Sequence, residues 1–398
     1  MVISADVDGP IASARRFRGS ALTSLLKVAP EMESHLTCGE SLERYLFETY
    51  IEDKGAWKRR AYYALKPAIP RAAQILLRKY YAASRESRAF PKWPIESRIA
   101  DLAGASVSNA LEGCVGNQLL GIAPWPVGHD FAFCITHDVE WDSGLRRAPD
   151  LLEVEQRVGV MSSWNLVPER YPIDWGIVDG LRKAGSEIGI HGLRHDGRLF
   201  QSRSIFLSRL AKIEQYAAEW GAVGFRSPSC LRNVEWMGAM RFEYDSSFPD
   251  TDPYEPQPGG CCSVWPYFLG NMVELPLTMP QDHTLYEILG HKDLSLWDRK
   301  ADWIGQVGGL VLINVHPDYI TTHERLRQYE EFLCRMKERR RMWHALPKEI
   351  ARWWRDRDAS VLIARDGKSA IEGPASNRAT VAQLSIGGTG NIRFGTAA

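Results

Sequence analysis

From residue 130 onward, short apolar runs with strand character alternate with longer helical stretches. This alternation limits the possible folds more than any other feature of the chain. DFAFCIT and RVGVMSSWNLV read as strands, and YPIDWGIVDGLRKAG reads as a helix that stops at glycine. SEIGIH is a strand and SRSIFLSRLAKIEQYAAEWG a helix. AVGFRS, FEYDSS, NMVELPL and GGLVLINVH are further strands. The pattern predicts a parallel α/β barrel or a wound sheet. Polar residues gather where these strands end, and in a barrel those ends carry the chemistry.

The 398 residues suffice for one domain of about 250 residues with extensions. Lys plus Arg equals Asp plus Glu at 49 each, so no overall field favours nucleic acid. The 14 tryptophans suit a sugar-binding cleft, where a flat ring meets an apolar sugar face, or simple core packing. Seven cysteines without regular spacing predict neither a disulfide framework nor a zinc ribbon. The opening MVISADVDGPIASARRFRG lacks the apolar core of a secretory signal, and no apolar run reaches membrane-spanning length. A cytoplasmic location is the expectation.

Three regions follow from texture. Residues 1–125 read as a mainly helical extension, 126–322 as the barrel, and 323–398 as a helical C-terminal extension with a short tail. LTSLLKVAPEMESHL, SLERYLFETYIEDKGAWKRRAYYALK and RAAQILLRKYYAASRESRAF suit helices. Between Lys54 and Lys92 stand eleven Lys or Arg and one acid, Glu86. That stretch, residues 54–92, suits a solvated helical face, peripheral contact with an anionic membrane, or a phosphate-bearing substrate. FPKWPIE and GIAPWPVGHD read as linker with proline corners. In the tail, ERLRQYEEFLCRMKERRRMWHALPKEIARWWRDRD is helical and broken near Pro347, and ATVAQLSIGGTGNIRFGTAA suits a hairpin.

The strand ends form a constellation. Asp138 and Glu140 share a side if residues 136–140 stay extended. His191 and His195 are four apart and converge if a helical turn follows the strand. Two imidazoles and one carboxylate make a common metal set that leaves positions open for water, and Glu140 completes it. Asp138 then stays off the metal and takes a proton from water. His316 follows the apolar run VLIN and is placed to act as general acid. Arg226 is placed to orient Asp138 and keep it anionic. Asp245 is placed to hold Arg226 or to meet a substrate hydroxyl. His137 lies on the opposite parity from the acids and is read as supporting structure.

The ordered set THDVE, HGLRH, RSP, YDSS and NVHP resembles the five motifs of the polysaccharide deacetylase family, which contains the NodB-type chitooligosaccharide deacetylases. The similarity spans about residues 130 to 320, half the chain. It implies an α/β fold, a distorted incomplete (β/α) barrel of about seven parallel strands. It also implies removal of N-acetyl or O-acetyl groups from carbohydrates with a bound divalent metal. Zinc is the first expectation, with cobalt, nickel, manganese or iron as alternatives. Asp138 matches the family's base, His191 and His195 its metal histidines, Arg226 the arginine that tunes the base, and His316 the general acid. Two positions depart from the pattern. Val139 stands where the usual metal aspartate directly follows the base, and Glu140 fits a D-x-E variant. Ser229 and Cys230 follow RSP in place of an aromatic and a glycine, which implies a different groove wall. The insert at 247–268 is expected to fold over the site as a lid or specificity wall.

The expected substrate is a carbohydrate, and a cytoplasmic enzyme would meet a phosphate-bearing or lipid-linked precursor. A hydrolase of a non-sugar amide and a non-catalytic glycan-binding protein fit the same residues. A glycoside hydrolase fits less well, because Asp138 and Glu140 are too close in sequence to flank a bond and the histidines would be idle. A Cys230 nucleophile is disfavoured, since its nearest motif partner is an arginine. Oligomeric state has no signature in the sequence.

Overall fold

The computed structural model describes residues 20–51, 69–70, 73, 76–77, 79–80, 90–113, 118–365, 368–388 and 390–396. Most of the basic stretch 54–92 therefore lies outside the described residues, and so does the proposed membrane or phosphate contact. The strands, in chain order, are β1 (Leu119–Ile122), β2 (Phe131–Val139), β3 (Ser163–Leu166), β4 (Glu187–His191), β5 (Gly224–Arg226), β6 (Tyr244–Asp245) and β7 (Tyr267–Leu269). They continue as β8 (Met272–Glu274), β9 (Leu310–Val315), β10 (Met342–His344), β11 (Val361–Arg365), β12 (Lys368–Glu372), β13 (Val381–Ile386) and β14 (Ile392–Thr396).

A nine-stranded sheet curls into an open barrel in the order β10-β2-β3-β4-β5-β6-β8-β7, with β9 also paired to β2. Every pairing is parallel except the hairpin of β7 with β8. All nine residues of β2 are buried, as both faces of a central parallel strand require. The gap between β8 and β9 is bridged by Thr278, whose hydroxyl donates to Leu310 O at 2.6 Å and accepts from Leu312 N at 2.8 Å. This is the distorted, incomplete α/β barrel that the alternation and the motifs predict.

Helices cover the outside. Arg203–Trp220 buries Phe206, Leu210, Ile213, Ala217 and Trp220, a spacing of three and four that sets one apolar stripe on the sheet. Each large side chain in that stripe contributes roughly 1.5–3 kcal/mol. Ser202 caps its start by accepting from Ile205 N, and left-handed Gly221 ends it.

Sequence and structure differ at several element bounds. Of RVGVMSSWNLV only Ser163–Leu166 is strand, because Val158 closes the preceding helix and Gly159 caps it with φ 75°. FEYDSS contributes only Tyr244–Asp245. LTSLLKVAPEMESHL splits at Pro30 into a helix, Ala21–Leu26, and a 3-10 turn, Pro30–His35. In the C-terminal region the helices His323–Lys337 and Pro347–Asp358 flank β10, which joins the barrel beside β2. The final hairpin forms as β13 and β14, and β13 pairs with β1 from the GIAPWPVGHD region. Both extensions thus meet on one small sheet. No helix among the described residues is long and apolar enough to cross a membrane. Cys38, Cys134, Cys230, Cys261, Cys262 and Cys334 are free thiols.

Candidate metal centre and its neighbours

Alternation along β2 decides which of its terminal side chains meet. Thr136 and Asp138 turn one way and accept from Arg226. His137 turns the other way, stacks on Trp164 at 4.0 Å, and lies 2.6 Å from Glu155 Oε1. It supports the strand from behind, as its parity predicts. Glu140 follows the last β2 residue. Its backbone N–H donates to Asp318 Oδ2 at 3.0 Å, while Tyr171 donates to Val139 O at 2.7 Å. These bonds pin the turn that presents the Glu140 carboxylate.

His191 is the last residue of β4. Its Nδ1 lies 3.1 Å from Arg226 O, and a carbonyl can only accept, so Nδ1 carries the proton. Nε2 is left with a lone pair. Burial lowers the His191 pKa to about 4, which keeps the ring neutral. His195 does not reach the site through a helical turn. Gly192 at φ 63° and His195 at φ 52° reverse the chain instead. A Cβ at Gly192 would come within 2.6 Å of Pro228, so this turn needs glycine. The two imidazole centroids end 5.0 Å apart.

The ligand atoms of Glu140, His191 and His195 all lie within 4.8 Å of one another. His195 Nε2 is 3.0 Å from Glu140 Oε1, but off the direction a hydrogen bond needs. Among the described residues, neither His191 Nε2 nor His195 Nε2 has a hydrogen-bond partner, although both atoms are buried. Buried imidazole lone pairs facing a carboxylate are poorly satisfied by protein alone and well satisfied by a cation. The donor set therefore fits a divalent metal, and Glu140 reaches the position that Val139 leaves without a ligand.

Asp138 sits beside this cluster and is 3% exposed. Its Oδ1 accepts from Asn165 at 2.9 Å, and its Oδ2 accepts from Asn314 at 2.8 Å and Arg226 at 3.4 Å. Burial works against its charge, but His191, Arg226 and His316 hold the carboxyl well below the usual carboxylate range. Asp138 Oδ2 stands 3.9 Å from His191 Nε2 and 3.9 Å from His316 Nε2, between a metal ligand and the expected acid.

His316 follows β9. Its Nδ1 lies 2.6 Å from Asp282 Oδ1, and its backbone N–H donates to Asp282 Oδ2 at 2.9 Å. Burial alone would favour the neutral ring, yet Asp282 lifts its pKa to about 10. Glu140 shows the same balance: burial opposes its charge, and His195 holds it well below the ordinary range.

Asp245 is fully buried, accepts from Ser247 at 2.6 Å, neighbours Glu274 across the β6–β8 register, and feels the positive charge of Arg226. Arg226 bonds Asp138, Thr136 and Ser246. The insert 247–268 reaches the site through Glu255, which accepts from Gln281. Gln281 in turn accepts from Asn314, which also bonds Asp138.

Sequence reading assigned no role to Asp282, Asp318, Asn165 or Asn314. Asn165 and Asn314 sit within apolar strands, and a polar residue at such a position is a usable signal. Asp282 opens the short helical segment after β8 that continues as the π-helical turn Thr284–Leu289, and it has no such mark.

No family model matches the sequence, and no curated protein matches it. Solved structures do. A candidate polysaccharide deacetylase from Mycobacterium smegmatis is 19% identical, covers 61% of this chain and 96% of its own, and has a TM-score of 0.48. The PuuE allantoinase is 16% identical over 58% of this chain and 93% of its own, with a TM-score of 0.44. The peptidoglycan deacetylase PdaC from Bacillus subtilis is 13% identical over 58% of this chain and 95% of its own, with a TM-score of 0.39.

Proposed function

We propose that this chain is a divergent member of the polysaccharide deacetylase family and a metal-dependent hydrolase that removes an N-acetyl or O-acetyl group from a carbohydrate. The observation that carries the reading is the convergence of Glu140, His191 and His195, with Asp138 and His316 beside them. One carboxylate and two imidazoles favour zinc among the common divalent ions. A cation held there supplies Lewis acidity to an acyl oxygen and acidity to a water.

The chain's own residues do the rest. Asp138 is ionised at neutral pH and accepts the proton of the attacking water. Asn165, Asn314 and Arg226 fix the orientation of its two oxygens. His316 holds a proton on Nε2, because Asp282 occupies Nδ1. It donates that proton to the leaving nitrogen or oxygen, without which an amine would have to depart as an anion. Each of these proton transfers supplies about 10²–10⁴-fold in rate.

Acetate release from N-acetylated and O-acetylated oligosaccharides tests the reading, with chelated and zinc-reloaded protein compared. Release that requires the metal supports it. Release that persists after complete chelation, or release of free sugar rather than acetate, replaces it with another hydrolase class. A non-sugar amide remains the second reading, and the same assay on a panel of simple amides separates the two.

A further inference from the structure

We propose that Trp141 is the stacking platform on which a sugar ring of the substrate rests while its acyl group meets the metal centre. The inference builds on the carbohydrate reading above and names a residue that binds the ring.

Trp125, Trp164, Trp265, Trp297, Trp353 and Trp354 are fully buried. Trp141 is 47% exposed, although it directly follows the ligand Glu140. A single exposed indole elsewhere on a surface is unremarked. This one is tied to the site from two sides. The Arg170 guanidinium lies 3.6 Å from the Trp141 ring centroid, a close cation–π stack. The same guanidinium donates through Nη1 to the backbone carbonyl of His195 at 2.7 Å. The indole is therefore coupled along the chain to one metal ligand and through Arg170 to another.

Its backbone is equally fixed. Trp141 is the N-cap of the helix Asp142–Val158, and its carbonyl accepts from Gly144 N and Leu145 N at 3.0 and 3.1 Å. Asp318 holds the turn on both sides, accepting from Glu140 N and from the Ser143 hydroxyl. A ring held by its backbone and by a stacked guanidinium loses little freedom when a ligand arrives. With one face taken by Arg170, the exposed part of the indole is available to the C–H face of a pyranose, which is apolar and flat enough to stack.

The test uses full-length, zinc-loaded protein, with tetra-N-acetylchitotetraose and acetylated xylotetraose as probes. Binding is measured by calorimetry and acetate release in parallel. W141L should weaken binding of the preferred oligosaccharide about tenfold, the loss that ~60 Å² of unshielded apolar surface represents. W141F, which keeps a ring, should stay within about threefold of wild type. Bound-zinc content equal to wild type shows that each variant is folded. Sugar binding lost in W141L while wild type releases no acetate keeps the platform and removes the hydrolase reading. Acetate release with W141L indistinguishable from wild type on both oligosaccharides overturns the platform and leaves the hydrolase reading intact. Wild-type protein that binds neither oligosaccharide at millimolar concentration also overturns the platform.

Discussion

Both oxygens of Asp282 are committed to His316, one to ring Nδ1 at 2.6 Å and one to the backbone N–H at 2.9 Å. The pairing keeps the ring charged against its burial, with a pKa near 10 in place of 6.5. In the metal-free protein, D282N should lower that pKa, since burial remains and the carboxylate is gone. Turnover of the reloaded enzyme should then lose its alkaline limb at a lower pH. A His316 pKa raised in the folded state stabilises the fold fully below about 6.5 and is lost as pH rises through about 10. Urea midpoints between neutral and alkaline pH should therefore fall in wild type more than in D282N. NMR titration of the ring measures the pKa directly, and an unmoved His316 in D282N removes the pairing from the mechanism.

Within the metal cluster, substitutions should separate binding from chemistry. H191A and H195A remove an imidazole whose lone pair has no other use, so bound metal by elemental analysis should be lost. E140Q keeps the shape and removes the charge, and metal affinity should fall at least about tenfold. D138N and H316A should keep the metal and lose about 10²–10⁴-fold in turnover. Retained turnover in D138N would take the base role from Asp138.

The parts legible from sequence were those written locally. An apolar run ending in polar or charged residues marks a strand end, and Asp138, Glu140, His191, Arg226 and His316 all stand at such ends. The approach of His195 was legible but for the wrong reason. Two left-handed residues, Gly192 and His195, bend the chain where the spacing suggested a helical turn. Asp282 is illegible in the sequence because its only mark is proximity to His316 in space. The pairing of β13 with β1 is illegible for the same reason: strand partners from opposite ends of a chain are chosen by packing, and local propensity is silent about them.

Asp245 and Glu274 face each other on neighbouring strands, fully buried, and burial pushes both carboxyls up. Ser247 donates to Asp245 and Phe248 N to Glu274, so the pair is anchored on both sides. Two buried carboxylates facing each other cannot both ionise cheaply, and the arrangement suits one shared proton. A carboxyl with a raised folded pKa stabilises at acidic pH and loses that contribution as pH rises toward its folded value. E274Q removes the titration and keeps an acceptor for Phe248. Its stability relative to wild type should therefore be greater at about pH 8 than at about pH 5. Urea denaturation at the two pH values measures this, and parallel curves would show that no proton is shared.

The N-terminal arm is fastened to the barrel by a buried charge pair. Glu48, at φ 54°, receives a two-pronged contact from Arg232, and both side chains are almost fully buried. Arg232 also donates to Cys230 O at 2.8 Å, which links the arm to the loop just beyond Arg226. Tyr50 adds a bond to Gly260 O at 2.7 Å, and Tyr267 one to Leu46 O at 3.0 Å. Removing one partner strands a guanidinium in an apolar setting, so E48A should cost about 3–5 kcal/mol. Replacing both, as in E48L with R232M, removes the stranded charge along with the pair and should recover most of that loss. Chemical denaturation of the single and double variants closes the cycle. A double variant as unstable as E48A would mean that the geometry of this junction, and not the buried charge, is what holds the arm.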